Sequence, residues 1–373
     1  MTNIKKILFS IILAVMFIPV IQSLFNIYEE EELAGAYMKI EKPDFTYQGW
    51  LKGSYQSVAN KYIEENIGFH NTFTRIRNQI RYSLFKKIVV PDQMLGKNGQ
   101  WFSVGWTKNY LGLTYFGDEK ADSLALQFKQ FKKSMNDKNK QFLIALVPCK
   151  ASYMPYNLPM EYQKIEKSKN SYDAILDICN KLDLHYIDFH KYFQEIKDTI
   201  TYPLFVETGC HWSTYGAAIA LDSILNYSRM LLQKDLMQIK IKNLIVPNKN
   251  DDYDIEKAMN LLFEIPKSPA AYPQIELIKD TCSYRPKVII VGDSFHWTIK
   301  RTWKLLDIFT SDSWFFYYFT TAFPNNPGKS VPVKDMDIMK EVDDSDLIIF
   351  ITSIGTMNEF PYGFVDHCNN NSN

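Results

Sequence analysis

Apolar residues fall along this chain in three regimes. The first runs from Ile7 to Phe25, "ILFSIILAVMFIPVIQSLF", interrupted only by Ser10, Gln22 and Ser23. At helical rise its nineteen residues span ~28 Å, close to the thickness of a hydrocarbon core. Lys5 and Lys6 precede it and Glu29 to Glu32 follow, so the basic end is expected to stay in the cytoplasm. No clear small-x-small cleavage site follows the run. An uncleaved signal anchor over residues 1–29 is therefore expected, with the rest of the chain outside the cytoplasmic membrane.

The second regime has the period of a helix. Residues 30–55 are irregular, with Gly35, Pro43 and Gly49. Val58, Tyr62, Ile63, Phe69, Phe73, Ile76, Ile80 and Leu84 then recur at helical spacing through residues 56–88. Glycines punctuate "GKNGQWF" (96–102), the pattern of a hairpin or tight turn. This stretch, 30–105, is expected to be a helical extension packing on the core.

From about residue 120 helix and strand alternate. Helical patterns cover 122–138, 169–182 and 213–234, the last opened by Ser213 as N-cap. A further helix is expected over 295–309. Between them stand short apolar strands: "QFLIALVP" (141–148), "LHYIDF" (184–189), "KVIIVG" (287–292) and "DLIIFIT" (346–352). Such strands, separated by helices, predict an α/β domain over 106–373, a mostly parallel sheet flanked by helices. Ligands of such sheets sit at the carboxyl ends of the strands.

Composition narrows the function classes. Lys plus Arg and Asp plus Glu are both 42, and a net charge of zero argues against broad capture of nucleic acid. Aromatics make up 15%, enough for a large aromatic core and also compatible with a sugar-binding surface. The five cysteines, Cys149, Cys179, Cys210, Cys282 and Cys368, show no zinc spacing. No disulfide framework is expected, because a chain this long can build its own core. "GKNGQWF" lacks the phosphate-loop pattern, and no metal or cofactor is expected.

Two short motifs carry candidate chemistry. In "PKVIIVGDSFHW" a strand ends in Gly292-Asp293-Ser294. A glycine there lets the backbone turn hard and lifts the serine to the strand end, beside a helix N-terminus. Strand-Gly-Asp-Ser turns also occur with no catalytic role. In "ETGCHWSTYG" (207–216), His211 stands in a loop just before a helix, where it can serve as base to a serine. A packing histidine beside Trp212 is the plainer alternative.

Together the motifs resemble the SGNH-hydrolase-like proteins of the alginate O-acetyltransferase type. "YIEENIGFHNTFTRIRNQIRYSLF…MLGKNGQWF", "LVPCKASYMPYNLP", "YIDFHKYF", "YPLFVETGCHWSTYG" and "VGDSF" follow that family's order over most of residues 56–364. The resemblance implies the permuted order, histidine before serine. It makes Ser294 the nucleophile and His211 the base. The family's aspartate, two residues before the histidine, falls on Gly209. Glu207, another acidic residue, or a Ser–His dyad would then have to serve; a non-catalytic relative is a further reading. Gly355 and Asn358, after the last strand, are candidate oxyanion donors, and Lys150 either meets an anionic substrate group or is solvated. The function implied is O-acetylation of an extracytoplasmic polysaccharide through an acyl-serine. A membrane-bound multi-pass acyltransferase would be the acetyl donor. The alternatives are a carbohydrate acetylesterase and a non-catalytic polysaccharide-binding or export subunit.

Overall fold

The computed structural model describes residues 2–35, 40–245, 252–278 and 284–371. Cys282 lies outside them; the other four cysteines are free thiols. The chain forms two compact units, Met1–Pro91 with Ile255–Pro266, and Asp92–Asp254 with Lys267–Asn373.

The smaller unit is helical. α1 (Thr2–Phe25) carries the apolar run, with Pro19 inside it. Over Asn3–Phe25 it is long and apolar enough to cross a membrane, with mean hydropathy 2.5. α2 (Tyr47–Lys52), α3 (Ser54–Asn66) and α4 (His70–Phe85) follow. The helical period over 56–88 is divided between α3 and α4. α3 ends where Ile67 turns extended, at φ −66° and ψ 138°, and α4 starts after Phe69, which is left-handed at φ 63°.

The larger unit holds the α/β domain. Its strands are β1 (Gln93–Leu95), β2 (Trp101–Ser103), β3 (Gln141–Val147), β4 (Tyr186–Asp188), β5 (Gln238–Ile245), β6 (Tyr272–Ile278), β7 (Val288–Gly292), β8 (Trp314–Tyr317), β9 (Thr321–Pro324), β10 (Val331–Pro332) and β11 (Leu347–Ser353). β1 and β2 form the hairpin expected around "GKNGQWF". The central sheet has seven strands in the order β10-β9-β8-β7-β11-β3-β4. β8, β7, β11, β3 and β4 are parallel; β9 and β10 add an antiparallel edge. β5 and β6 pair separately as an antiparallel ribbon.

The sheet is covered on both faces, and the alternation along its strands sorts the core. Phe142, Ile144, Leu146, Ile289, Val291, Ile348 and Phe350 face one layer, with Phe128 and Phe131 from the helix Asp118–Asp137 and Ile175 from the helix Ser171–Lys181. Leu143, Ala145, Val147, Val288, Ile290, Leu347, Ile349 and Ile351 face the other. There they meet Ala217, Leu221 and Ile224 of the helix Thr214–Leu232. Near-continuous apolar strands are what a doubly covered parallel sheet requires. The central strands end together, so β7 and β11 deliver Ser294 and Ser353 to the same edge.

Candidate active site

The serine is set by secondary structure. β7 pairs with β11 up to Gly292 opposite Ile351. A Cβ on Gly292 would stand 2.7 Å from the Ile351 carbonyl oxygen, so only glycine allows this approach. Asp293, fully buried, closes the turn. Its Oδ1 accepts from Phe295 N at 3.0 Å, and its Oδ2 accepts from Ser353 N at 2.7 Å and Thr356 Oγ1 at 2.6 Å. The following helix is shorter than its pattern suggests. It runs only over His296–Thr302 and stops where Trp303 turns extended, at φ −122° and ψ 150°.

The histidine is set by tertiary contacts. Trp212 is buried and its Nε1 donates to Phe295 O at 3.0 Å, tying the residue after His211 to the residue after Ser294. Ser213 caps the next helix through Gly216 N, and its own N–H donates to Leu204 O at 2.7 Å. Thr214 donates from N and Oγ1 to the Asp252 carboxylate. Cys210 N donates to Asp254 Oδ1 at 2.9 Å.

These contacts produce a hydrogen-bonded chain. Ser294 Oγ lies 2.7 Å from His211 Nε2, and His211 Nδ1 lies 2.5 Å from Asp254 Oδ2. The order is serine, imidazole, carboxylate, the arrangement that lets an imidazole take a hydroxyl proton while the carboxylate holds its tautomer. Trp106 and Phe295 pack edge-on against the imidazole, with ring centres 5.5 and 5.0 Å away. The His211 and Asp254 side chains remain 24% and 32% exposed, so the chain of groups opens to solvent on one side.

Charge tunes the pair. Burial disfavours the imidazolium, but the Cys210 sulfur and the Asp254 carboxylate outweigh it and hold the His211 pKa well above its ordinary value. The Cys210 thiol is itself pushed up, first by burial and then by Asp254. Burial likewise opposes ionisation of Asp254; His211 and the donors on Cys210 prevail and lower its pKa. Cys210 Sγ, His211 Nδ1 and the Asp254 carboxylate lie within 4.8 Å of one another and include donors a soft divalent ion accepts. The contacts of Asp254 Oδ2 with Cys210 Sγ, at 3.2 Å, and with His211 account for the cluster without an ion.

Residues 114–254 match the family described as the SGNH hydrolase-like domain of acetyltransferase AlgX. Over that segment the chain is similar to this family. The matched segment holds His211 and ends at Asp254; Ser294 lies beyond it. Among solved structures, the chain is similar to the O-acetyltransferase domain of Pseudomonas putida AlgJ, at 16% identity. That match covers 75% of this chain and 99% of that one, with TM-score 0.47. It is similar to Pseudomonas aeruginosa AlgX at 12% identity, covering 74% of this chain and 67% of that one, with TM-score 0.46. Bacillus cereus PatB1 matches at 13% identity over 71% of this chain and 97% of its own, with TM-score 0.42. No curated protein matches the chain.

The remaining candidate residues fall in other places. Glu207 does not reach the imidazole; its Oε1 accepts from Ser268 N at 3.1 Å. The carboxylate at His211 is Asp254, 43 residues further along the chain. Gly209 is packed so closely that a Cβ there would lie 2.2 Å from Asp252 O and 3.2 Å from Asp254 Oδ1. The segment that brings Asp254 thus fills the space a side chain at 209 would need. Lys150 is neither solvated nor at the serine. It is 2% exposed, and its Nζ donates to the carbonyls of Val206, Glu207 and Gly209. Burial lowers its pKa to about 7, while Cys210, Glu207 and Asp254 oppose that shift.

Asn358 is committed elsewhere: Oδ1 accepts from Ser171 Oγ, and Nδ2 donates to Thr114 O and Asn109 Oδ1. Gly355 is covered by Trp106, and its carbonyl accepts from Asn109 Nδ2. Ser294 is one of the groups that act on the Tyr318 phenol. Burial and then Asp293 hold that phenol above its usual pKa, so it stays a neutral donor. Tyr318 sits in a turn with φ 48°, and its sequence context "FYYFTT" carries no motif. Asp254 was hidden for another reason. It lies far from His211 in sequence, and carboxylates in loops are common.

Proposed function

We propose that this chain is an extracytoplasmic O-acetyltransferase that modifies a polysaccharide through an acyl-Ser294 intermediate. The observation that carries this reading is the Ser294–His211–Asp254 chain of hydrogen bonds. His211 Nε2 takes the Ser294 proton as Oγ attacks the donor's carbonyl carbon. The imidazolium, paired with Asp254, then returns the proton to the leaving group. The Ser294 N–H and the Tyr318 hydroxyl are assigned to the oxyanion. In the second half, His211 deprotonates a sugar hydroxyl as it attacks the acyl-serine, and the imidazolium returns that proton to Oγ as the acyl bond to serine breaks.

Asp254 favours this reading over a non-catalytic scaffold, whose main support was the missing carboxylate at 209. α1 is assigned as a retained anchor that keeps the domain on the outer side of the cytoplasmic membrane. A multi-pass membrane acyltransferase, implied by the family resemblance, is the assigned acetyl donor.

The test is incubation with an activated acetyl ester, read by intact mass. Wild type is expected to gain one acetyl group on Ser294, and Ser294→Ala none. Adding an oligosaccharide acceptor is expected to move the acetyl group to sugar faster than to water. Equal labelling of both proteins, or none in either, overturns the acyl-serine. Release to water alone makes the protein an esterase.

A further inference from the structure

α4 is amphipathic in the opposite sense to a helix of a water-exposed domain. Phe73, Ile76, Ile80 and Leu84 recur at intervals of three and four and form one stripe. All four point outward, 48%, 37%, 49% and 72% exposed. The inward face is polar. Asn78, the buried residue of the helix, donates to Met259 O at 2.8 Å. Asn71 and Arg75 bind Glu31, and Arg75 also donates to Glu32 O. A helix that met only water would turn these faces round.

Charge identifies what covers the stripe. Arg77 and Arg81 flank it and are exposed, and exposed Lys86 and Lys87 follow. From His70 to Lys87 the sequence has no acidic residue. An apolar stripe edged by arginines matches a bilayer surface, with acyl chains below and anionic phosphates at the rim.

Position fixes which bilayer. The turn into α4 is bonded to the last turns of α1. Gly68 N donates to Ser23 Oγ at 2.6 Å, a Cβ on Gly68 would lie 2.4 Å from Pro19 O, and Phe69 stacks on Tyr28. The end of α1 that follows its apolar run is therefore the point from which α4 starts.

We propose that α4 lies in the extracytoplasmic leaflet of the membrane that α1 crosses, its stripe on the acyl chains and Arg77 and Arg81 on anionic headgroups. This rests on reading α1 as a retained anchor. The full chain is reconstituted into vesicles of phosphatidylcholine with phosphatidylglycerol. A fluorophore is attached at Ile80→Cys, Phe17→Cys or Lys61→Cys, and labelled wild type corrects for native thiols. Quenching by acyl-chain-brominated lipid is compared with quenching by aqueous iodide.

The Ile80→Cys label is expected to be quenched several-fold more by brominated lipid than by iodide, like the label at Phe17→Cys and unlike that at Lys61→Cys. Arg77→Glu with Arg81→Glu is expected to weaken lipid quenching at 80 and leave it unchanged at 17. Iodide quenching at 80 with lipid quenching at 17 overturns the proposal and leaves the anchor standing. Iodide quenching at both positions removes the anchor and the proposal together. A label at 80 shielded from both quenchers means that a second protein surface covers the stripe, which also overturns it.

Discussion

The two halves of the candidate site are built by different means. The serine half occupies one strand end: Gly292 allows the close approach to Ile351, Asp293 pins the turn to Ser353 and Thr356, and Ser294 follows. The histidine half is assembled from pieces far apart in sequence. Lys150 ties down the carbonyls of Val206, Glu207 and Gly209, Asp252 holds Thr214, and Asp254 holds both Cys210 and His211. A group delivered by secondary structure has a fixed neighbour in sequence. A group delivered by tertiary contacts does not, so a carboxylate can stand at 254 while the family resemblance places it at 209.

The largest effect is expected where this difference does not matter. Ser294→Ala and His211→Ala each remove a reacting group, so either is expected to abolish acyl-enzyme formation while leaving the fold intact by circular dichroism. Gly209→Asp sharpens the comparison next. The new side chain collides with Asp252 O and displaces Asp254 rather than replacing it. The expected result is a drop in activity approaching that of losing the carboxylate, with destabilisation of about 1–3 kcal/mol by urea unfolding. Near-normal activity would show that the histidine half tolerates a second carboxylate.

Lys150→Met probes the histidine half away from the imidazole. Three carbonyls lose their donor, and the expected cost is about 2–4 kcal/mol of stability. kcat is expected to fall more than KM changes, because the loop carrying His211 loosens. An unchanged kcat would make the lysine purely structural.

The smallest effect concerns pH. With its pKa raised, His211 gains its basic form at higher pH than an ordinary histidine. kcat/KM is therefore expected to climb above pH 6.5, the ordinary histidine value. The linkage has the opposite sign: stabilisation by the imidazolium is full below pH 6.5 and is lost as pH rises through the folded-state pKa. Rising activity and falling stability across the same alkaline window would agree with the pairing; an acid-side activity optimum would break it.

Much of the architecture was legible because it is periodic. The four apolar strands at 141–148, 184–189, 287–292 and 346–352 correspond to β3, β4, β7 and β11, the middle and one edge of the sheet. The helix capped by Ser213 begins where its cap predicts. The β8–β9–β10 edge was not legible, since its strands are two to four residues long and aromatic residues there fit a loop equally well. The meeting of His211 with Ser294 was implied by the family resemblance, not by either motif alone. Asp254, Tyr318 and the internal role of Lys150 depend on contacts between distant loops, which no local pattern encodes. A proline–lysine pattern after a strand cannot say whether the ammonium turns toward solvent or back onto three carbonyls.

The most direct measurement is the rate of Ser294 acetylation by an activated ester, followed by rapid quench and intact mass, in wild type, Asp254→Asn and Glu207→Gln. With Asp254 orienting the imidazole, Asp254→Asn is expected to slow acylation by roughly 10³–10⁴-fold, and Glu207→Gln to stay close to wild type. An unchanged rate in Asp254→Asn, or a collapse in Glu207→Gln alone, would contradict the assignment of the carboxylate.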